Sequence, residues 1–152
     1  MKNVLEILFP AKADNTIRGS KIPFYIFTLY AILSTVRSCI HLFASDGGAG
    51  SVAGMDLTVA GAQGIIFAFA LWGSSQLLFA LVQLLVVFRY RSLVPLMWLM
   101  VILEVMLRQL VGAMKPVAFT HTPPGEIGNQ LILPLAALML AWSVWSAYRQ
   151  KG

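Results

Sequence analysis

The sequence predicts an all-α integral membrane protein, a bundle of four transmembrane helices whose N and C termini both lie in the cytoplasm. Apolar residues make up 59% of the 152-residue chain and charged residues only 11%, whereas a soluble domain carries about 25% charged residues. The apolar residues form four long runs, and most basic residues lie at one end of those runs. Because the chain has too little polar surface to face water all round, we expect lipid to be its solvent.

The four apolar runs define the predicted domain organisation. They cover residues 23–43, 58–88, 93–114 and 129–148, and ~20 residues of helix cross a ~30 Å hydrocarbon core. Residues 1–22 form a basic segment that either lies along the cytoplasmic headgroups or forms a short tail, and residues 149–152 form a cytoplasmic tail. The second run exceeds one crossing, so we expect it to begin outside the membrane, tilt, or bend near Gly73. The short link at residues 89–92 predicts that the second and third helices are adjacent.

The positions of the basic residues predict the orientation. The side that holds both termini and the 89–92 link carries eight of them: Lys2, Lys12, Arg18, Lys21, Arg89, Arg91, Arg149 and Lys151. The opposite side carries one, Lys115, together with Asp46, Asp56 and Glu126. An excess of Lys and Arg marks the cytoplasmic side, so we predict a multi-pass protein of the bacterial inner membrane. The net charge of +5 then reflects topology, and no nucleic-acid partner is expected.

Three charged residues lie inside the predicted spans. Arg37 is in the first span, and Glu104 and Arg108 are in the third. A charge at the centre of a membrane helix costs ~2.5–3.5 kcal/mol, so these side chains are expected to face the bundle interior. Glu104 and Arg108 are four residues apart and share a helix face. Both arginines lie ~6–9 Å below the outer ends of their helices. This similar depth predicts one cluster of polar side chains in the outer half of the bundle.

Two arginines and one glutamate leave one positive charge to be neutralised. We therefore predict a pocket for a small anionic or amphipathic ligand, which the protein binds or transports. Its predicted ligand-binding residues are Arg37, His41, Glu104, Arg108, Asp46 and Gln76. The alternative is an internal ion-pair network that serves only helix packing, as in a structural or accessory subunit of a membrane complex.

A membrane enzyme acting on a lipid-soluble substrate is a third hypothesis. Glu104 or His41 would be its general base, and an arginine would stabilise developing negative charge. The sequence contains no catalytic signature that identifies such residues, so whether the protein is an enzyme stays open. Four short helices enclose little volume, which makes a homodimer a further expectation.

The two histidines both fall on the outer side of the predicted topology. His41 ends the first span and His121 lies in the last loop, so with Glu126 they predict a metal site. A single haem held by both histidines is another interpretation. Their spacing identifies neither group, and the cofactor is left unknown. The glycine-rich loop at residues 46–56 either re-enters the bundle or forms a flexible turn.

Overall fold

The computed structural model describes residues 4–117, 119 and 122–150, and Lys2, His121 and Lys151 lie outside the described residues. All regular elements of this part are helices: α1 (Val4–Leu8), α2 (Ile22–Phe43), α3 (Ala62–Arg89), a 3-10 turn (Arg91–Leu93), α4 (Val94–Met114) and α5 (Pro124–Arg149). The helices α2 to α5 are long and apolar enough to cross a membrane. The predicted fold class is therefore confirmed, while the cytoplasmic location of the termini stays a prediction.

Two helices begin several residues away from their predicted starts. The helix α3 starts at Ala62 instead of residue 58, because Gly61 before it adopts a left-handed φ of 86° that a helix cannot continue through. The helix α5 starts at Pro124 instead of residue 129. Proline suits the first turn of a helix, where its missing N–H would have no partner anyway. The last span is therefore longer at its outer end than hydropathy suggests.

The helices form two closely packed pairs, α2 with α3 and α4 with α5. The first pair approaches most closely at Gly73, where an added Cβ would lie 2.7 Å from the Cβ of His41 and 2.8 Å from the backbone nitrogen of Leu42. The helix α3 continues through Gly73 without interruption, and this glycine permits the close packing of α2 on α3. The predicted adjacency of the second and third spans is limited to sparse contact between α3 and α4.

The hydrophobic core occupies the half of the bundle that carries α1, the 3-10 turn and the end of α5. We call it the inner half because it is predicted to face the cytoplasm, and the opposite half the outer half. Its central side chain is Trp98, which is fully buried, donates its indole N–H to the carbonyl of Pro23 at 3.2 Å, and lies with its ring centroid 5.4 Å from that of Phe27. Within the described helices, α4 has no buried residue beyond Val105, and α5 has none before Ala136. The outer halves of α4 and α5 therefore stay apart from the rest of the bundle.

The inner end is closed by the segment that precedes α2. The buried hydroxyl of Ser92 donates to the backbone carbonyl of Asp14 at 3.0 Å and accepts from its N–H at 2.9 Å. The backbone of Gly19 exchanges hydrogen bonds with the side-chain amide of Gln150, at 3.1 and 3.3 Å. Residues 14–20 are thus tied to the 3-10 turn and to the end of α5, while the exposed apolar side chains of α1 suit the predicted headgroup layer.

We expect Gly73→Ala to destabilise the protein, because the new Cβ would collide with the backbone of α2. Overpacking of this kind costs about 1–3 kcal/mol in protein cores. The measurement is the thermal unfolding midpoint of the detergent-purified protein. Gly64→Ala is the matched control, since a Cβ at that position of α3 meets nothing within 4 Å.

The midpoint of Gly64→Ala should equal or exceed that of the wild type. Equal midpoints for Gly73→Ala and Gly64→Ala would contradict the close contact of α2 with α3.

Candidate functional site

A cavity of about 800 Å³ lies in the outer half of the bundle, between the α2–α3 pair and the α4–α5 pair. All four long helices and both outer connections contribute to its wall. Its charged lining within the described residues consists of Arg37, Arg108, Lys115 and Glu126. Three positive charges against one negative charge give this outer cleft an excess of positive charge. Its volume falls in the ~300–1,000 Å³ range of small-molecule sites.

Arg108 enters the cleft from α4 and is supported from behind by Glu104. The guanidinium Nη2 of Arg108 donates to the carboxylate of Glu104 one turn inward, which forms a salt bridge. Glu104 is not part of the cleft wall. The Nε of Arg108 is buried and has no hydrogen-bond partner among the described residues. The predicted shared face of these two residues therefore exists, but only the arginine faces the cleft.

Arg37 enters the cleft from α2 and is supported by α3. The side-chain oxygen of Gln76, in the amide orientation that satisfies both of its ends, accepts from Nη2 of Arg37 at 2.8 Å and from the indole N–H of Trp72 at 3.2 Å. The guanidinium carbon of Arg37 also lies 5.8 Å from the centroid of the Trp72 ring. Gln76 holds Arg37 without lining the cleft. The buried Nε of Arg37 has no partner within the described chain.

The two arginines belong to one electrostatic cluster. Arg37 is close enough to both Arg108 and Glu104 to interact with each of them, and Tyr30 interacts with all three. The structure thus brings together Arg37, Glu104 and Arg108, as the helix periodicity predicts. A buried donor without an acceptor costs about 1–3 kcal/mol, and more when it is charged. That cost applies to both arginines, since each has a buried Nε without a partner among the described residues.

His41 lies beside the arginines at the outer end of α2. It is 5% exposed. Its ring contacts the ring of Trp72 in a tilted arrangement at a centroid distance of 5.0 Å and the ring of Phe69 edge-on at 5.8 Å. Its Nδ1 lies 2.8 Å from the backbone carbonyl of Gly47. Because a carbonyl can only accept, Nδ1 carries the proton, and in the neutral ring Nε2 then offers its lone pair. His41 also lines the cleft, so it adds an acceptor to a wall of donors.

The glycine-rich connection between α2 and α3 is a hydrogen-bonded structure packed on those helices. Gly47 and Gly48 have φ values of 60° and 74°, which allow the chain to turn back over His41. A Cβ on Gly48 would lie 3.2 Å from Nδ1 of His41, and Ala49 is fully buried. The connection therefore covers the histidine and forms the outer edge of the cleft.

Asp46 organises this connection and is not part of the cleft wall. Its carboxylate accepts the backbone N–H of Ser51 at 2.6 Å and that of Gly48 at 2.8 Å. These two hydrogen bonds lower the pKa of Asp46 from 3.8 to about 2. The aspartate predicted to bind a ligand instead stabilises the loop that positions His41.

The predicted metal site of His41, His121 and Glu126 is described only in part. His41 and Glu126 both line the cleft, whereas His121 lies outside the described residues. Within residues 4–117, 119 and 122–150, no three His, Cys, Asp or Glu side chains come together as metal ligands would. The metal site stays a prediction.

Trp72 is a site residue that hydropathy does not identify. It falls within the second apolar run, yet it contacts Arg37, His41 and Gln76 and lines the cleft. The available signal was its spacing of four residues from Gln76, which places both on one face of α3. Another buried amide on that helix, Gln83, has neither side-chain atom hydrogen-bonded within the described chain.

We expect Asp46→Asn to lower stability above pH 4 and to have little effect near pH 2. The folded-state pKa of Asp46 is depressed, so its contribution is complete above the unfolded value of 3.8 and is lost as pH falls towards about 2. The measurement is the difference in thermal midpoint between wild type and variant from pH 6 to pH 2. A difference that stays constant over this range would show that the carboxylate is not held by these N–H groups.

Comparison of the chain with known protein families, with characterised proteins and with solved structures gives no match. Its function is therefore inferred from the geometry and charge of the outer cleft.

Proposed function

We propose that this chain is a small multi-pass protein of the bacterial inner membrane that binds a small anionic or amphipathic ligand in its outer cleft, as a binding or transport protein. The observation that carries the proposal is the placement of Arg37 and Arg108. Both line a cavity of about 800 Å³, and within the described residues Glu104 is the one carboxylate that forms a salt bridge with either of them. Two guanidinium groups on the wall of one cavity, with one carboxylate between them, form a receptor for an oxyanion.

Charge and geometry both favour an anion. The cluster of Arg37, Glu104 and Arg108 retains one positive charge after the salt bridge is counted. A guanidinium presents its N–H groups in a planar fork that matches a carboxylate or phosphate. Hydrogen bonds to charged groups contribute about 1.5–3 kcal/mol each. A ligand oxyanion would therefore supply the acceptors and the negative charge that the cluster lacks.

The supporting contacts distinguish this proposal from a network that serves only packing. A network that serves only packing needs no cavity beside it, but here both arginines line the cleft while Glu104 and Gln76, which support them, do not. The enzyme hypothesis loses Glu104 as a general base, because Glu104 is bound by Arg108 and lies outside the cleft wall, and it retains only His41. Ligand binding is the function that uses all of these contacts.

For a transport role, the cleft would be the end of the path that opens to the predicted outer side. Trp98, Phe27 and Val101 are fully buried between the cleft and the inner end, so a ligand in the cleft has no path through the packed core. Transport would require the inner half to open, whereas binding requires no change. Reversible binding is therefore the first property to test.

We expect Arg108→Leu to weaken the binding of an oxyanion at least tenfold, because it removes a charge-assisted donor from the cleft. The measurement is a titration of tryptophan fluorescence in maltoside detergent, with inorganic phosphate and dodecyl phosphate as probes. Trp72 in the cleft wall provides the signal. Arg89→Leu is the matched control, since Arg89 is exposed at the inner end of α3 and should bind both probes like the wild type.

A second variant separates binding from folding. Arg108→Leu alone leaves Glu104 without its partner, which is costly inside a membrane protein. The double variant Arg108→Leu with Glu104→Leu removes both charges and should fold while still failing to bind. Wild-type affinity for either probe in the folded double variant, or no binding of either probe by the wild type, would overturn the proposal.

A further inference from the structure

We infer that the outer cleft takes an oxyanion carried on an acyl chain, a carboxylate or phosphate headgroup with a hydrocarbon tail, and that this ligand enters sideways from the outer leaflet. The inference rests on the proposed function and specifies the class of ligand. Three observations carry it: the sparse packing between the two helix pairs, the depth of the arginines, and the composition of the cleft wall.

The cleft lies between two helix pairs that make few contacts with each other. All four long helices contribute to its wall, yet neither helix of the α2–α3 pair packs on α4 or α5 as closely as α2 packs on α3 and α4 on α5. The described part of α5 before Ala136 has no buried residue, and neither does α4 beyond Val105. The gap between α3 and the α4–α5 pair therefore lies at the depth of lipid acyl chains.

The arginines lie below the headgroup layer. Arg37 is six residues from the outer end of α2, and Arg108 is six residues from the outer end of α4. At ~1.5 Å per residue both lie ~9 Å inward from the ends of their helices. A headgroup bound there would place its attached chain directly within the hydrocarbon region. A small hydrated anion at the same depth would have to lose most of its water without any compensating apolar contact.

The wall of the cleft contains both surfaces that such a ligand needs. Its polar part is formed by Arg37 and Arg108 with His41, and its apolar part includes Phe69, Trp72 and Val117. Each buried CH₂ group contributes about 0.8 kcal/mol on leaving water. An acyl chain therefore adds binding energy along the apolar wall, which inorganic phosphate has no means to use.

The test places the full-length protein in phosphatidylcholine nanodiscs and adds lysophosphatidate with a dibrominated acyl chain. Bromine quenches tryptophan fluorescence on contact, and the signal of Trp72 is obtained as the difference between the wild type and Trp72→Phe. Two further probes are inorganic phosphate, followed by its effect on the thermal midpoint, and a neutral monoacylglycerol with the same brominated chain. Arg108→Leu with Glu104→Leu provides the variant without the anion receptor.

We expect brominated lysophosphatidate to quench Trp72 saturably, with a half-saturation concentration at least tenfold lower than that of the neutral monoacylglycerol. The double variant should lose this preference for the charged lipid. Inorganic phosphate should raise the thermal midpoint only at concentrations at least tenfold higher than lysophosphatidate requires.

The other outcomes distinguish binding of the acyl chain from binding of the anion. Stabilisation by phosphate without quenching of Trp72 by lysophosphatidate would overturn the acyl-chain inference and leave anion binding in place. Equal quenching by the charged and neutral lipids would overturn the headgroup recognition on which both proposals depend. The absence of both effects, with no quenching of Trp72 by lysophosphatidate and no stabilisation by phosphate, would overturn the proposed function itself.

Discussion

A guanidinium group inside a bilayer needs hydrogen-bond acceptors that hydrocarbon does not supply, and the outer half of this protein is arranged around that constraint. An unmatched charge near the centre of a membrane helix costs ~2.5–3.5 kcal/mol. Arg37 is supported by Gln76 and Trp72 from α3, and Arg108 by Glu104 from its own helix. These supports hold the two arginines in place but leave the cluster one negative charge short. The open cleft is the physical consequence, because packing the helices together here would enclose an uncompensated charge.

The inner half of the bundle has the opposite character. Its core is apolar and closed around Trp98, and its end is tied down by hydrogen bonds from Ser92 and Gln150 to the segment before α2. The close contact at Gly73 fixes α2 against α3 in the outer half. The closely packed inner half and the α2–α3 pair thus hold one wall of the cleft in place, and the outer parts of α4 and α5 form the opposite wall.

Much of the architecture could be predicted from the sequence, because four apolar runs and one-sided basic residues are strong signals in a membrane protein. The spacing of Glu104 and Arg108, and the similar depth of Arg37, were enough to predict that these charges come together. The role of Asp46 was not predictable, since its N–H partners depend on the left-handed glycines of the connection. The support of Arg37 by Gln76 and Trp72 depends on how α3 rotates against α2, which hydropathy does not encode. The early start of α5 at Pro124 was likewise hidden by the polar residues of its first turns.

The outer cleft is expected to hold an anion under native conditions. Native mass spectrometry of the protein released from lipid nanodiscs tests this expectation most directly, and also reports whether the chain forms the expected homodimer. We expect one reproducible anionic adduct per chain in the wild type, which is absent in a folded variant with Arg37→Leu, Arg108→Leu and Glu104→Leu together. A wild-type protein that appears only at its bare mass, as monomer or as oligomer, would show that the cleft is not an anion site.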